Sequence, residues 1–109
     1  MTYINIMEFI EALSFTKYVY EYIDDEEFSA MQWFLVSHPE SGDLIPGSGG
    51  LRKLRWGAKG KGKRGGIRII YYLVKKNKEI WLLSIFAKNE LSDLPKEVLA
   101  QLRKEIQNV

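Results

Sequence analysis

A chain of 109 residues has room for one hydrophobic core and not for two, and its 46% hydrophobic and 28% charged residues are those of a folded globular protein. The absence of cysteine excludes a disulfide framework, a thiol nucleophile and a thiolate metal site, and the single histidine, His38, cannot make a metal cluster. The net charge of +2 conceals an asymmetry: residues 51–68 hold eight of the 16 basic residues and none of the 14 acidic ones, so the remainder, eight against 14, carries −6.

A basic segment on an acidic body focuses positive potential on one surface, which favours a polyanion such as nucleic acid over a membrane or a small acidic metabolite. No stretch approaches the roughly 20 apolar residues of a membrane span, and the N-terminus lacks the basic region and apolar run of a signal peptide. One domain over residues 1–109, cytoplasmic and away from any membrane, is therefore expected.

Tyr3, Ile4, Ile6, Met7, Phe9 and Ile10 make a β-prone opening, after which Ser14 can cap a helix. From Phe15, the residues Tyr18, Val19, Tyr22 and Ile23 fall on one stripe of an amphipathic helix. Asp24 and Glu27 resemble a capping box, and Phe28, Met31, Phe34 and Leu35 continue the helical spacing until Pro39 ends it near His38. Residues 39–50 are dense in turn formers and read as a connection. Strands are predicted at 51–56, 67–74 and 79–87, the last two joined by a KKNK turn in an antiparallel meander. IRIIYYLV and IWLLSIFA are apolar at nearly every position, so these two strands should be covered on both faces. Pro95 suits the first turn of a last helix, whose Leu94, Val98, Leu102 and Ile106 repeat every four residues. The order β-α-α-β-β-β-α predicts an α+β fold with helices packed on a small antiparallel sheet.

The chemistry gathers around WGAKGKGKRGGIRIIYY, residues 56–72, where Lys59, Lys61, Lys63 and Arg64 stand among five glycines. In a hairpin centred near Asn77, partner numbers sum to about 154, which places Arg68 opposite Phe86 and diagonal to Lys88. Arg68, Ile70 and Tyr72 share a strand face, so a guanidinium and an aromatic ring on one side could hold a phosphate and a base. Glycines let such a loop approach a sugar-phosphate chain and expose its amides, while Arg52, Lys53, Arg55 and Lys59 add binding charge. The pattern is not a nucleotide-binding loop, since no G-x-x-x-x-G-K-[ST] occurs and the glycines precede a strand rather than a helix. His38, at a helix end, reads as a cap or surface residue rather than a catalyst, so an enzyme here needs a histidine-free mechanism. RNA cleavage meets that need: the 2′-hydroxyl attacks the adjacent phosphorus, aided by a base, an acid and cations that stabilise the transition-state charge. A free lysine titrates near about 10.4, and crowding by other cations lowers the value towards a useful base. Tyr71 and Trp81 read as core, Trp33 as core or partner contact, and Lys75, Lys76 and Lys78 as a solvated turn.

GGLRKLRWGAKGKGKRGGIRIIYYLV followed by LLSIFAKNELSDL resembles the HigB-type toxins of the RelE/ParE superfamily, from bacterial type II toxin-antitoxin systems, and with the preceding helices the resemblance spans nearly the whole chain. It implies a RelE-like fold, a HigA-type helix-turn-helix antitoxin as partner, and ribosome-dependent endonucleolytic cleavage of mRNA in the A site, without metal or cofactor. By position, the basic catalytic residues correspond to Lys61, Lys63 or Arg64, together with Arg68 and Lys88. RelE also uses a tyrosine near its C-terminus, whereas no tyrosine follows Tyr72 here; that stacking role falls to Tyr72 or Phe86 or stands vacant. Two other readings are a ParE-like poison of DNA gyrase and an RNA-binding module without activity.

Overall fold

The computed structural model of the protein describes residues 7–57, 66–91 and 93–106. In chain order these form β1 (Glu8–Glu11), α1 (Leu13–Tyr22), α2 (Asp25–Ser37), β2 (Asp43–Leu44), β3 (Arg52–Trp56), β4 (Ile67–Val74), β5 (Glu79–Ala87) and α3 (Lys96–Lys104). No helix is long and apolar enough to cross a membrane.

The strands make one sheet in the order β1-β5-β4-β3-β2. From β2 to β5 neighbours are antiparallel, as the meander required, but β1 lies parallel to β5, with Glu8 beside Glu79 and Glu11 beside Leu82. The sheet is therefore mixed rather than purely antiparallel. Alternation and β-branching forecast a strand, but not its partner or direction. Residues 3–6 of the expected first strand lie outside the described residues.

The 154 rule holds along the outer half of the β4–β5 hairpin, where Arg68 faces Phe86 and Ile70 faces Ser84. Tyr71 then faces Leu82, so Leu83 is one extra residue on β5 and forms a bulge.

Both faces of the sheet are covered. Phe15, Val19, Phe28, Met31 and Leu35 from the first two helices pack with Ile67, Ile69, Tyr71, Ile80 and Leu82, while Leu99, Leu102 and Ile106 at the C-terminal end pack with Leu51, Ile70, Leu83 and Phe86. This two-sided cover explains why β4 and β5 are apolar throughout.

α2 starts as its sequence dictates: Asp24 Oδ1 accepts the Glu27 N–H at 2.8 Å and the Glu27 carboxylate accepts the Asp24 N–H at 3.3 Å. α1 differs from expectation. Its N-cap is Ala12, without a side-chain cap, and the Ser14 hydroxyl instead donates to the Leu83 carbonyl at 2.6 Å, stitching the helix to the bulge. Along α3 and just past its end the buried residues are Leu99, Leu102 and Ile106, with Val98 40% exposed. A spacing of four overshoots the 3.6-residue turn by about 40° per step, so a strict four-residue repeat cannot stay on one face. The connection at 39–50 also contains β2, which pairs Asp43 with Lys53.

Tyr71 is fully buried yet satisfied, its hydroxyl donating to the Pro39 carbonyl at 2.7 Å and accepting the Gly42 N–H at 2.9 Å. It ties the α2–β2 connection to the sheet.

Candidate nucleic-acid interface

β3 and β4 run together until Arg55 stands directly opposite Arg68 and Trp56 opposite Ile67. On the other side of β4, Ile67 faces Ala87, and one residue further the Lys88 N–H donates to the Gly66 carbonyl at 3.1 Å. Three cations from three neighbouring stretches converge at this end of the sheet. With Trp56, Gly57 and Gly66 they line a cleft of about 370 Å³, within the range of small-ligand sites. Gly57 and Gly66 are also where the chain leaves and re-enters the described residues, so the segment bearing Lys59, Lys61, Lys63 and Arg64, itself outside them, is joined to the cleft lining at both ends.

The electrostatics centre on Arg68. Its side chain is only 6% exposed, and among the described residues it forms no ion pair with a carboxylate; its hydrogen bond, at 3.4 Å, goes to the carbonyl of its own neighbour Ile67. Burial first, and the Arg55 charge second, hold its pKa below the ordinary arginine value, while Asp93 works in the opposite direction. Two like charges directly opposite on paired strands repel. A nearly fully buried guanidinium beside two more exposed cations concentrates positive charge at this end of the sheet.

Comparison with models of known protein families gives no match over this chain. Among solved structures, the chain is similar to a double arginine-to-alanine mutant of the E. coli toxin RelE in the free state, with a TM-score of 0.58 and 10% sequence identity over 91% of this chain and 98% of that one. The fold is RelE-like.

Within this RelE-like fold the expected binding residues divide. Arg55, Arg68 and Lys88 meet at the cleft. Arg52 does not join them: its guanidinium donates to the carbonyls of Glu40 (3.1 Å) and Gly42 (2.7 Å) and lies 3.5 Å from the Glu40 carboxylate, holding the α2–β2 connection. Lys53 is paired with Asp93 at 2.7 Å, which ties β3 to the approach of α3. Tyr72 shares the face of Arg68 but stands four residues along β4, about 13 Å away at the usual rise per residue. Its ring is half-buried there beneath the Arg103 guanidinium, 4.6 Å from the ring centre, and against Gly50. Gly50 has φ +100°, and a Cβ there would come within 2.9 Å of the Tyr72 ring. Phe86, the other ring considered for stacking, is buried in the core under α3.

One residue that lines the cleft and one that acts on it from outside were not singled out in the sequence as site residues. Trp56 lines it directly, half-buried, with its ring 5.8 Å from that of Phe34, which in turn stacks on His38 at 5.0 Å. Its place between Arg55 and Gly57, at the end of a basic strand, was the available signal. Asp93 acts on Arg68 through its charge, which only the folded approach to α3 reveals.

Proposed function

We propose that this chain is a toxin of the HigB type that cleaves mRNA in the ribosomal A site without a metal, and that a HigA-type helix-turn-helix antitoxin neutralises it. The observation that carries the reading is Arg68, a buried guanidinium without a carboxylate partner among the described residues, set between Arg55 and Lys88 at the cleft of a RelE-like fold. A phosphodiester supplies the charge and the paired acceptor oxygens that such a guanidinium lacks. Arg55 and Lys88 bind the scissile or adjacent phosphates, and Lys59, Lys61, Lys63 and Arg64 extend the track.

In the reaction the RNA 2′-oxygen forms a bond to phosphorus while the bond from phosphorus to the 5′-oxygen breaks, leaving a 2′,3′-cyclic phosphate. A lysine, Lys61, Lys63 or Lys88, takes the 2′-hydroxyl proton, and a second cationic side chain or water returns one to the leaving 5′-oxygen. Arg68 and Arg64 stabilise the charge that builds on the non-bridging oxygens, where preorganised donors are most effective.

The test is primer-extension mapping of mRNA 5′ ends after brief induction of the wild type and of Arg68→Ala, each with translation of the reporter allowed or blocked. New ends inside coding sequence that need both translation and Arg68 are expected. Growth arrest without such cuts would overturn the reading in favour of a gyrase poison, to be sought in a supercoiling assay. Normal growth with soluble wild-type protein would leave only RNA binding.

A further inference from the structure

Lys88 lies just beyond β5, in a turn that the rest of the fold fastens from two sides. The turn closes on Ala87, whose carbonyl accepts the N–H groups of Glu90 at 3.0 Å and Leu91 at 3.2 Å, while the Lys88 N–H reaches across to Gly66. Glu90 then folds back: one carboxylate oxygen accepts the Ala87 N–H at 3.3 Å and the Tyr22 hydroxyl at 2.5 Å. Tyr22 is the last residue of α1, half-buried against the core that α1 and α2 share with the sheet. A chain of contacts thus runs from the helix core through Tyr22 and Glu90 to the backbone amide next to Lys88.

The Tyr22–Glu90 bond has the length of a charge-assisted O–H···O⁻ contact, the strong kind. It pushes the Tyr22 hydroxyl up to about 12, with burial adding to the effect. Neither residue lines the cleft. Glu90 and Lys88 also stand at the sheet's functional end, so this bond is not needed to pair β4 with β5, which end at Val74–Glu79 and Ile67–Ala87.

We propose that Tyr22 and Glu90 are positioning residues that hold the Lys88 ammonium at the anion cleft, a role that rests on the reading of that cleft as the RNA site. Lys88 sits on a flexible stem in an exposed turn. Preorganising its backbone removes the freedom that would otherwise be lost on meeting the phosphate, and small misplacements of a reacting group are costly in rate.

The test uses the purified protein in ribosome-programmed mRNA cleavage, under steady-state and single-turnover conditions, with NMR amide exchange of residues 87–91 measured alongside. Tyr22→Phe should lower kcat about tenfold with KM within about twofold, and accelerate exchange at Ala87 and Lys88. Glu90→Gln, whose amide oxygen still accepts both donors, should retain most of the activity that Glu90→Ala loses. In a Lys88→Met background, adding Tyr22→Phe should cost nothing further in the single-turnover rate. A wild-type kcat in Tyr22→Phe, or the same tenfold loss on top of Lys88→Met, overturns the proposal. If the wild type cleaves no mRNA, the nuclease reading falls on its own, and the fastening is still decided: unchanged exchange at Ala87 and Lys88 in Tyr22→Phe overturns it too.

Discussion

Replacing Arg68 with methionine should make the protein more stable while abolishing the proposed mRNA cleavage. Methionine keeps the length and most of the apolar stem of arginine and removes the charge. What is lost is a 3.4 Å hydrogen bond to a neighbouring carbonyl and the favourable field of Asp93. What is relieved is the desolvation of a guanidinium left 6% exposed, and the repulsion of Arg55 directly opposite, about 0.2–1 kcal/mol by itself. Exchanging buried charge for a well-packed apolar side chain has a typical benefit of about 1–4 kcal/mol, and the lost hydrogen bond and field reduce it here to about 1–3 kcal/mol. At about 4 °C per kcal/mol for a chain of this length, Tm should rise by about 4–12 °C. Urea unfolding followed by tryptophan fluorescence measures the change, with an unaltered m-value showing that the unfolded state is the same. A variant equal to or less stable than the wild type would refute the argument, because Arg68 would then be a compensated structural charge.

Arg55→Ala should weaken binding of a single-stranded RNA oligomer and reduce the slope of log affinity against log salt by about 0.7, as expected for one lost phosphate contact; an unchanged slope places Arg55 off the RNA path. Tyr71→Phe should destabilise the fold by about 1–3 kcal/mol in urea titration, since the buried Gly42 N–H loses its acceptor and the Pro39 carbonyl its donor, and a neutral change would show that water replaces the hydroxyl. The Tyr22 hydroxyl is raised from 10.0 to about 12, so the stability it contributes is fully present below pH 10 and lost as pH rises through 12. The stability difference between wild type and Tyr22→Phe should therefore vanish across that window, whereas a difference that persists above it contradicts the Tyr22–Glu90 bond.

Local signals carried much of the fold. Asp24 and Glu27 announce the start of α2, and the turn around Asn77 sets the β4–β5 register, so that simple arithmetic brings Arg68 and Lys88 to one end of the sheet, whereas the β3 register that adds Arg55 came only with the fold. Long-range choices were not legible. The parallel seat of β1 depends on a partner far along the chain, and the bulge at Leu83 lies in a run too uniformly apolar to show a change of face. The same holds for the site. Arg52 and Lys53 look as free as Arg55 in the sequence, but Glu40 and Asp93, which engage them, come from connections whose paths no periodicity describes. Tyr72 shares a face with Arg68, as alternation requires; its cover by Arg103 arises from α3, 31 residues on.

The parallel seating of β1 has a consequence for how the chain reaches this state. Glu8 pairs with Glu79, 71 positions later, and the Ala12 N–H that leads into α1 is satisfied by the Leu82 carbonyl. During synthesis α1 and α2 emerge first, yet the sheet surface on which Phe15, Val19, Met31 and Leu35 close exists only once β4 and β5 have been made. The local hairpin can form early, and the contacts of greatest sequence separation must follow, each with its loop-closure cost. The first helices therefore have only each other, through contacts such as Phe15 with Phe28, until almost four-fifths of the chain has appeared, which leaves their sheet-facing side exposed to misassociation on the way to the folded protein.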